Sequence, residues 1–137
     1  MTATEEWDVW IHESNVLNLN HTYKHWSHKS KRIEACKGMG IVKSMSLGRY
    51  NKARLDVIVS YPKLYNADVN NYTPTMKAYM DGLVNIPPTR KGIPKQPAKG
   101  ILPDDSDEFF RGPFLKPSGE RSGRPGWFKF HCILTTE

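Results

Sequence analysis

Four stretches of the chain carry the apolar and β-branched residues that are typical of β-strands. Residues 7–13 are rich in aromatic residues with partial alternation and predict a first strand. Residues 54–62 form the clearest apolar run, which Pro62 ends. Residues 108–115 and 126–135 predict two more strands, and the Gly- and Pro-containing segment between them predicts that they pair as an antiparallel hairpin.

Two other segments carry helical signals. Thr73 suits the N-cap position and Pro74 the first helical position, which predicts a helix over residues 74–84. Residues 21–45 predict a second helix, with a break at residues 38–40 (Gly-Met-Gly) because glycine costs about 1 kcal/mol in a helix interior. The shorter helix has an apolar stripe at helical spacing, formed by Met76, Met80, Leu83 and Val84.

This order of strands and helices predicts an α+β fold, with a small mixed or antiparallel sheet and the helices packed on one face. A chain of 137 residues suits a single domain, residues 1–137, with a modest core. Its 20 Lys and Arg against 14 Asp and Glu give a net charge of +6. That charge favours an acidic partner such as nucleic acid, although a basic protein without such a partner stays an open alternative.

Targeting and cysteine signals point to the cytoplasm. The sequence has no run of about 18 apolar residues, and its acidic N-terminus differs from a signal peptide, so we expect no membrane association. Cys36 and Cys132 lie far apart without C-x-x-C spacing. We therefore expect two reduced packing residues, and neither a disulfide framework nor a zinc ribbon.

Basic residues concentrate in two segments. Between residues 24 and 54 the only acid is Glu34, and the proline-rich loop of residues 85–99 is basic throughout. Each segment either contacts a phosphate backbone or is a solvated surface, and for the loop a floppy insertion is the alternative. The candidate nucleic-acid contacts from these segments are Lys24, Lys29, Lys31, Arg32, Arg90, Lys91 and Lys95.

Carboxylates flank the shorter helix on both sides. Asp68 precedes it, and an acidic cluster that includes Asp104 and Asp105 follows it. If folding brings these acids together, their oxygens suit a hard divalent cation such as Mg²⁺. Lys77 and Asp81 are four residues apart on the helix and form either part of this site or a surface ion pair. The acidic cluster, taken alone, is equally a solvated turn.

The order of these residues resembles the RusA-like Holliday junction resolvases, a family common in phages and prophages. The shared pattern is an Asp/Asn cluster, a Lys, an Asp four residues later ahead of Gly-Leu, a loop, and Gly-x-x-x-Asp-Asp. In this chain the pattern corresponds to residues 68–71, Lys77, residues 81–83 and residues 100–105. Asn20 is a loose match to an Asn that follows the family's first strand.

The first motif departs from the family pattern. The family reads Asp-x-Asp-Asn with the Lys three residues later, whereas this chain has Asp-x-Asn-Asn and six residues from Asn71 to Lys77. This departure leaves open which family carboxylate Asp68 replaces, and whether Asn70 is a neutral ligand. The loop of residues 85–99 corresponds to an insertion relative to the family.

The resemblance implies a homodimeric, metal-dependent endodeoxyribonuclease of DNA recombination and repair that cuts both strands of a four-way junction in a bacterial host. Its cofactor would be Mg²⁺, with Mn²⁺ as an alternative, and no other small molecule is implied. The candidate metal ligands are Asp68, Asp104 and Asp105, and Asn70 would add a ligand or fix the water. Lys77 would stabilise charge in the transition state, and Asp81 would either bind metal or orient Lys77.

Two other functions remain open at this point. A binding protein whose catalytic site has decayed would fit the neutral Asn70. A protein–protein adaptor would instead use Trp7, Trp10 and Trp127, and it would lack salt-sensitive DNA binding.

Overall fold

One mixed sheet of four strands, in the spatial order β1-β4-β2-β3, organises the fold. The structure is a computed structural model that describes residues 2–19, 26–63, 68–84, 100–103 and 106–137. Its regular elements are β1 (Ala3–His12), α1 (Trp26–Ser44), β2 (Ala53–Tyr61), α2 (Thr73–Val84), β3 (Phe110–Arg121) and β4 (Trp127–Thr136). Short 3₁₀ turns span Glu13–Asn15 and Val69–Tyr72. The predicted α+β class and the four predicted strands are confirmed.

The sheet buries one face. Every second residue of β4 is buried, among them Phe130, Cys132 and Leu134, and the residues between them are half-buried. Ile11 of β1 and Leu55 of β2 are fully buried as well. This alternation is the period of two that a strand shows when helices cover one of its faces. The core therefore lies between the sheet and the two helices.

The predicted hairpin of the last two strands is wrong. β3 pairs with β2 in parallel, and β4 pairs with β2 on the other side, so β2 lies between them. The chain crosses the end of β2, where the Ser122 amide donates a 2.7 Å hydrogen bond to the Tyr61 carbonyl. Pro113 and Pro117 in β3 lack an N–H, which suits the edge position that this strand takes. Turn residues alone cannot reveal that a third strand lies between two neighbours in sequence.

The predicted break in the first helix is also wrong, since α1 continues through Gly38 and Gly40. The glycine at position 40 is explained by the helix pair instead. A Cβ at Gly40 would overlap the Tyr79 carbonyl and lie 2.9 Å from the Leu83 amide nitrogen of α2. A Cβ at Gly82 would in turn overlap the Lys37 carbonyl of α1. The two glycines allow the helix backbones to touch, which outweighs their low helix propensity.

The helix α2 begins differently from the prediction. Thr73 is already helical, with φ −51° and ψ −42°, and its amide donates to the Asn70 carbonyl, so it is not the N-cap. Asp68 caps the preceding 3₁₀ turn instead. The predicted apolar stripe is confirmed, because all four of its residues are buried. Thr75 ties the helix to the segment after β1, since its hydroxyl and the backbone of Leu17 exchange two hydrogen bonds of 2.8 Å.

The remaining fold expectations concern cysteines and membranes. Cys36 and Cys132 are free thiols in the core, as expected. Burial raises the pKa of Cys36 to about 11, so this thiol is un-ionised at neutral pH. No helix within the described parts of the chain has the length and apolar composition needed to cross a bilayer. Residues 85–99, the predicted loop insertion, lie outside the described residues.

Candidate active site

Asp68 and Asn70 lie together in a tight turn ahead of α2. Asp68 is extended, with φ −69° and ψ 121°, and its Oδ1 accepts a 3.0 Å hydrogen bond from the Asn70 amide. Asn70 itself belongs to the 3₁₀ turn, so Asp68 is extended and Asn70 is not. A carboxylate offers about four lone-pair sites, so this single contact leaves Asp68 the capacity to bind a cation. Both residues are exposed.

Aromatic packing supports the sheet end that precedes this turn. Tyr61, the last residue of β2, contacts Tyr72 with ring centroids 5.7 Å apart, and both rings contact Phe128. Burial raises the pKa of the Tyr61 phenol, with smaller contributions from Tyr72 and from the negative charge of Asp68. Tyr72 belongs to the turn that Asp68 caps, so its ring contact with Tyr61 places this turn near that end of the sheet. Packed aromatic rings therefore lie beside the Asp68 turn.

The exposed side of α2 carries the other two predicted residues. Lys77 Nζ lies 3.8 Å from Asp81 Oδ1, and their side chains are 50% and 41% exposed. Lys77 is in the second turn of the helix and Asp81 in the third, one turn further from Asp68. The structure thus places Asp68 and Asn70 before α2, and Lys77 and Asp81 in its second and third turns. Whether Asp81 binds metal or only orients Lys77 stays a prediction.

The segment that leads to Asp104 is anchored at the far end of α2. The amides of Gly100 and Ile101 donate to the carbonyls of Val84 and Leu83 at 3.0 and 3.1 Å. On the other side of the acidic cluster, the Ser106 carbonyl accepts hydrogen bonds from the amides of Phe109 and Phe110, and Phe110 is the first residue of β3. The twelve residues of α2 rise about 18 Å from its first residue to its last. The described flanks of the two acidic positions therefore lie at opposite ends of the helix.

Two of the three predicted metal ligands, Asp104 and Asp105, lie outside the described residues, so their distance from Asp68 stays a prediction. Within the described ranges, no three His, Cys, Asp or Glu side chains converge in the manner of metal ligands. That statement covers Asp68 alone among the proposed ligands. The chemistry of the donor set, three carboxylates with an amide beside them, fits Mg²⁺ or Mn²⁺.

The predicted nucleic-acid contacts fall into two groups. Lys29 and Lys31 are exposed on α1 and can reach a phosphate. Arg32 has a structural role, because its Nη1 donates to the Val16 carbonyl at 2.6 Å and to the Glu13 carbonyl at 3.3 Å. Five more of the predicted contacts lie outside the described residues, namely Asn20, Lys24, Arg90, Lys91 and Lys95.

The segment before Asn20 does reach the Asp68 turn. The Leu19 amide donates a 2.9 Å hydrogen bond to the carbonyl of Asn71, which directly follows Asn70. Leu19 and the Asp68 turn therefore lie at the same end of the molecule. This proximity of two distant stretches is a tertiary contact that no local pattern in the sequence signals.

Sequence reasoning missed a group of cations and aromatic rings on the uncovered face of the sheet. Arg124 lies over the rings of Trp10 and Trp127, and Lys129 lies beside Trp10. The signal was present in β1 and β4, where Trp10, Trp127 and Lys129 occupy positions that alternate with buried ones, and Arg124 lies in the turn before β4. Recognising it requires knowing that β1 and β4 are neighbours.

No protein-family model matches this sequence, and no curated protein matches it. The fold and the candidate site therefore stand on the sequence and the structure alone. They define a small α+β protein with an exposed, acid-bearing turn at the end of a central strand.

Proposed function

We propose that this protein is a magnesium-dependent endodeoxyribonuclease that acts on branched DNA, of the type that resolves four-way junctions. The observation that carries this proposal is the turn in which the Asn70 amide holds Asp68 ahead of α2, with Lys77 exposed on the same helix. The net charge of +6 supports a polyanionic substrate. The resemblance to RusA-like resolvases supports the reaction class and a phage or prophage protein acting in the bacterial cytoplasm.

Each residue has a role in phosphodiester hydrolysis. A bound Mg²⁺ supplies an activated water and a Lewis acid for the phosphoryl oxygen. Asp68, Asp104 and Asp105 would hold the cation through carboxylate oxygens, and the hydrogen bond from the Asn70 amide orients Asp68. Lys77 presents a positive charge to the phosphoryl group as negative charge develops in the transition state. Asp81, 3.8 Å from Lys77 Nζ, keeps that side chain on the exposed side of α2.

The described geometry bears on how such a site assembles. Asp68 lies before the first turn of α2 and Ile101 is bonded to its last turn, and the helix between them rises about 18 Å. Only two residues separate Ile101 from Asp104, which limits the reach of the chain to about 10 Å. In the proposed homodimer, Asp104 and Asp105 would complete the site either beside Asp68 of the same chain or beside Asp68 of the other chain. A two-fold dimer would hold two such sites, which matches the paired cuts of junction resolution.

Cleavage of a synthetic four-way junction tests the reaction. With Mg²⁺ the wild type should nick opposing strands, and Asp68→Asn and Asp105→Asn should each lose at least about 100-fold in rate, because each removes a ligand worth several kcal/mol. The matched control is Asp107→Asn, which removes an exposed carboxylate two residues from Asp105 and should cut normally. A wild type that cuts no junction, or variants that cut as well as it does, would sink the proposal.

Mixing the two inactive variants tests the shared site. In an Asp68→Asn and Asp105→Asn mixture, half of the dimers are mixed, and each of these has one intact site if the acids come from different chains. Nicking should then recover to about a quarter of the wild-type rate. If both acids come from the same chain, every site lacks one carboxylate and the mixture stays inactive. That second result would reject the shared site and leave the nuclease proposal standing.

Asn70 favours one alternative, a DNA-binding protein that no longer cuts. Its side chain is neutral at a position where the resembling family carries an acid, and its backbone amide contacts Asp68. This alternative predicts junction binding that is indifferent to Mg²⁺ and no turnover. Calorimetric titration with Mg²⁺ separates the two, because a decayed site should release no heat of specific binding.

A further inference from the structure

The uncovered face of the sheet carries a compact group of aromatic and basic side chains, which we name the tryptophan platform: Trp10, His12, Arg124, Trp127 and Lys129. In the antiparallel pair of β1 and β4, Trp10 is opposite Lys129 and His12 is opposite Trp127. The residues between them on each strand, such as Ile11 and Phe128, are buried under the helices. The platform therefore lies on the face that the helices leave open.

The rings and cations of the platform are in contact. The guanidinium carbon of Arg124 lies 4.8 Å from the ring centroid of Trp10 and 4.6 Å from that of Trp127. Lys129 Nζ lies 5.8 Å from the Trp10 centroid, and His12 meets Trp127 edge-on at 5.2 Å. Both indoles are half-buried, and Arg124 is exposed. One exposed cation thus contacts two large, flat aromatic rings.

The backbone of the turn that carries Arg124 is fixed. The Ser122 hydroxyl is buried, donates to the Arg124 carbonyl at 3.1 Å and accepts from its amide at 3.2 Å. The Trp127 amide donates to the Arg124 carbonyl at 3.0 Å, and the Glu13 amide donates to the Gly126 carbonyl at 2.9 Å. Only the exposed side chain of Arg124 is left to move, so it can leave the indoles at little cost.

Acidic and basic side chains occupy different parts of this face. The two acids of β1 on the open face, Glu6 and Asp8, are bound by His131, whose ring nitrogens lie 3.0 and 2.7 Å from their carboxylates. Glu13, which directly follows His12, is the first acid in the sequence after β1. Within the platform, Arg124 and Lys129 are cations. A ligand that offers flat rings together with negative charge is complementary to this end of the face.

We propose that the tryptophan platform binds unpaired nucleotides of single-stranded DNA, with a base stacked on an indole and Arg124 turned outward to a phosphate. An exposed cation–π contact contributes about 0.5–1 kcal/mol, whereas stacking of a base on an aromatic side chain contributes about 1–3 kcal/mol. Exchange of the guanidinium for a base is therefore favourable, and the released Arg124 gains a charge-assisted contact. A duplex lacks free base faces and gains only the phosphate contacts.

The position of the platform in the sheet fits a strand that runs past the candidate active site. The start of β4 and the ends of β1, β2 and β3 share one end of the sheet, since Ser60 is opposite Lys129 and Tyr61 opposite Arg121. Asp68 follows Tyr61 at that same end. Binding of single-stranded DNA by the platform needs neither metal nor cleavage, so this inference stands apart from the nuclease proposal.

The test is equilibrium binding of a labelled thymidine 12-mer in EDTA, followed by fluorescence anisotropy and by tryptophan quenching. The wild type should bind the 12-mer at least about 10-fold more tightly than a blunt 12-base-pair duplex. Trp10→Leu and Trp127→Leu should each weaken binding of the 12-mer about 10- to 100-fold. The matched control is Lys116→Ala, which removes an exposed cation from β3 and should leave affinity within about 3-fold.

Arg124→Ala keeps the test decisive if a tryptophan variant fails to fold, because it alters only an exposed side chain. It should lower the slope of log affinity against log salt by about 0.7, the value for one phosphate contact on a single strand. Equal affinity for strand and duplex, or tryptophan variants that bind as the wild type does, would overturn the inference. The inference would also be overturned if sedimentation showed that Trp127→Leu only dissociates a dimer while its affinity for the 12-mer stays unchanged.

The outcomes also separate this inference from the nuclease proposal. A protein that binds the 12-mer through the platform and cuts no junction keeps the platform and loses the nuclease. A protein that cuts junctions with Trp10→Leu and Trp127→Leu unaffected in binding keeps the nuclease and loses the platform.

Discussion

The two faces of the sheet differ in what their residues contact. On the face under the helices, side chains such as Phe130 and Leu134 are fully buried, and the backbones of α1 and α2 touch at Gly40 and Gly82. On the open face, Trp10 and its neighbours are half-buried and contact cations. The covered face thus supplies the stability that the open face does not. The open face is therefore free to vary its chemistry, and the proposed ligand contacts lie there and at the sheet end.

The largest expected effect contrasts two residues of β4 on opposite faces. Phe130→Ala should lower the free energy of unfolding by about 3–5 kcal/mol, because it leaves a cavity in a closely packed core. Ile133→Ala, on the open face, should cost less than half of that because water can occupy the vacated volume. Urea unfolding measures both. Equal losses would show that something also covers the open face of the isolated chain.

The next effect tests the close approach of the helices. Gly82→Ala should destabilise the protein by about 1–3 kcal/mol, because the added Cβ would overlap the Lys37 carbonyl. The control is Gly38→Ala on α1, where an added Cβ would meet no described atom within 4 Å. That variant should stabilise the helix by about 0.5–1 kcal/mol. Thermal melts of both variants decide the matter, and a neutral Gly82→Ala would contradict the tight contact.

A smaller effect concerns pH and the open face. Hydrogen bonds to Asp8, and secondarily to Glu6, raise the pKa of His131 above its ordinary value of about 6.5. A raised folded pKa stabilises the fold fully below the unfolded pKa, and this contribution is lost as pH rises through the folded value. The stability advantage of the wild type over His131→Gln should therefore shrink from pH 6 to pH 8 in urea titrations.

The control for that experiment is Glu5→Gln, which changes a charge on β1 without touching His131. It should leave the shrinking advantage of His131 intact. An advantage of the wild type that grows with pH would contradict the assigned hydrogen bonds.

The smallest expected effect is on stability at the candidate site. A double-mutant cycle on Lys77 and Asp81 should give a coupling of about 0.2–0.5 kcal/mol, as for other exposed pairs one helical turn apart. If Lys77 stabilises the transition state, Lys77→Met should nevertheless lower junction cleavage by at least about 100-fold. If the loss of cleavage, expressed as a free energy, is no larger than the loss of stability, Lys77 and Asp81 form only a surface ion pair.

Much of the local structure could be predicted from the sequence, because local structure depends on nearby residues. The strand at β2 follows from its apolar run, and the buried side of α2 follows from the spacing of Met76, Met80, Leu83 and Val84. The failures were local signals that tertiary contacts overrode. Thr73 is an able N-cap residue, yet the 3₁₀ turn that Asp68 caps runs directly into the helix.

The candidate site shows the same division. The sequence alone indicated Asp68, Asn70, Lys77 and Asp81 by residue type and spacing, and the structure places the first two before α2 and the other two in its second and third turns. The sequence could not indicate that Leu19 contacts Asn71, or that the flanks of the two acidic positions lie at opposite ends of one helix. Such relations join residues far apart in sequence, and their proximity depends on which strands pair.

The sequence by itself determined which segments are strands and helices and which of their sides are apolar, and it supplied the carboxylates and cations on which the proposed sites depend. The tertiary structure decided that β2 separates β3 from β4, that two glycines serve a helix contact, and that Trp10, Arg124 and Trp127 meet on one face. The physical reason is the distance along the chain over which each effect acts. Periodicity and propensity act over a few residues, whereas strand order and close packing minimise the free energy of the whole chain.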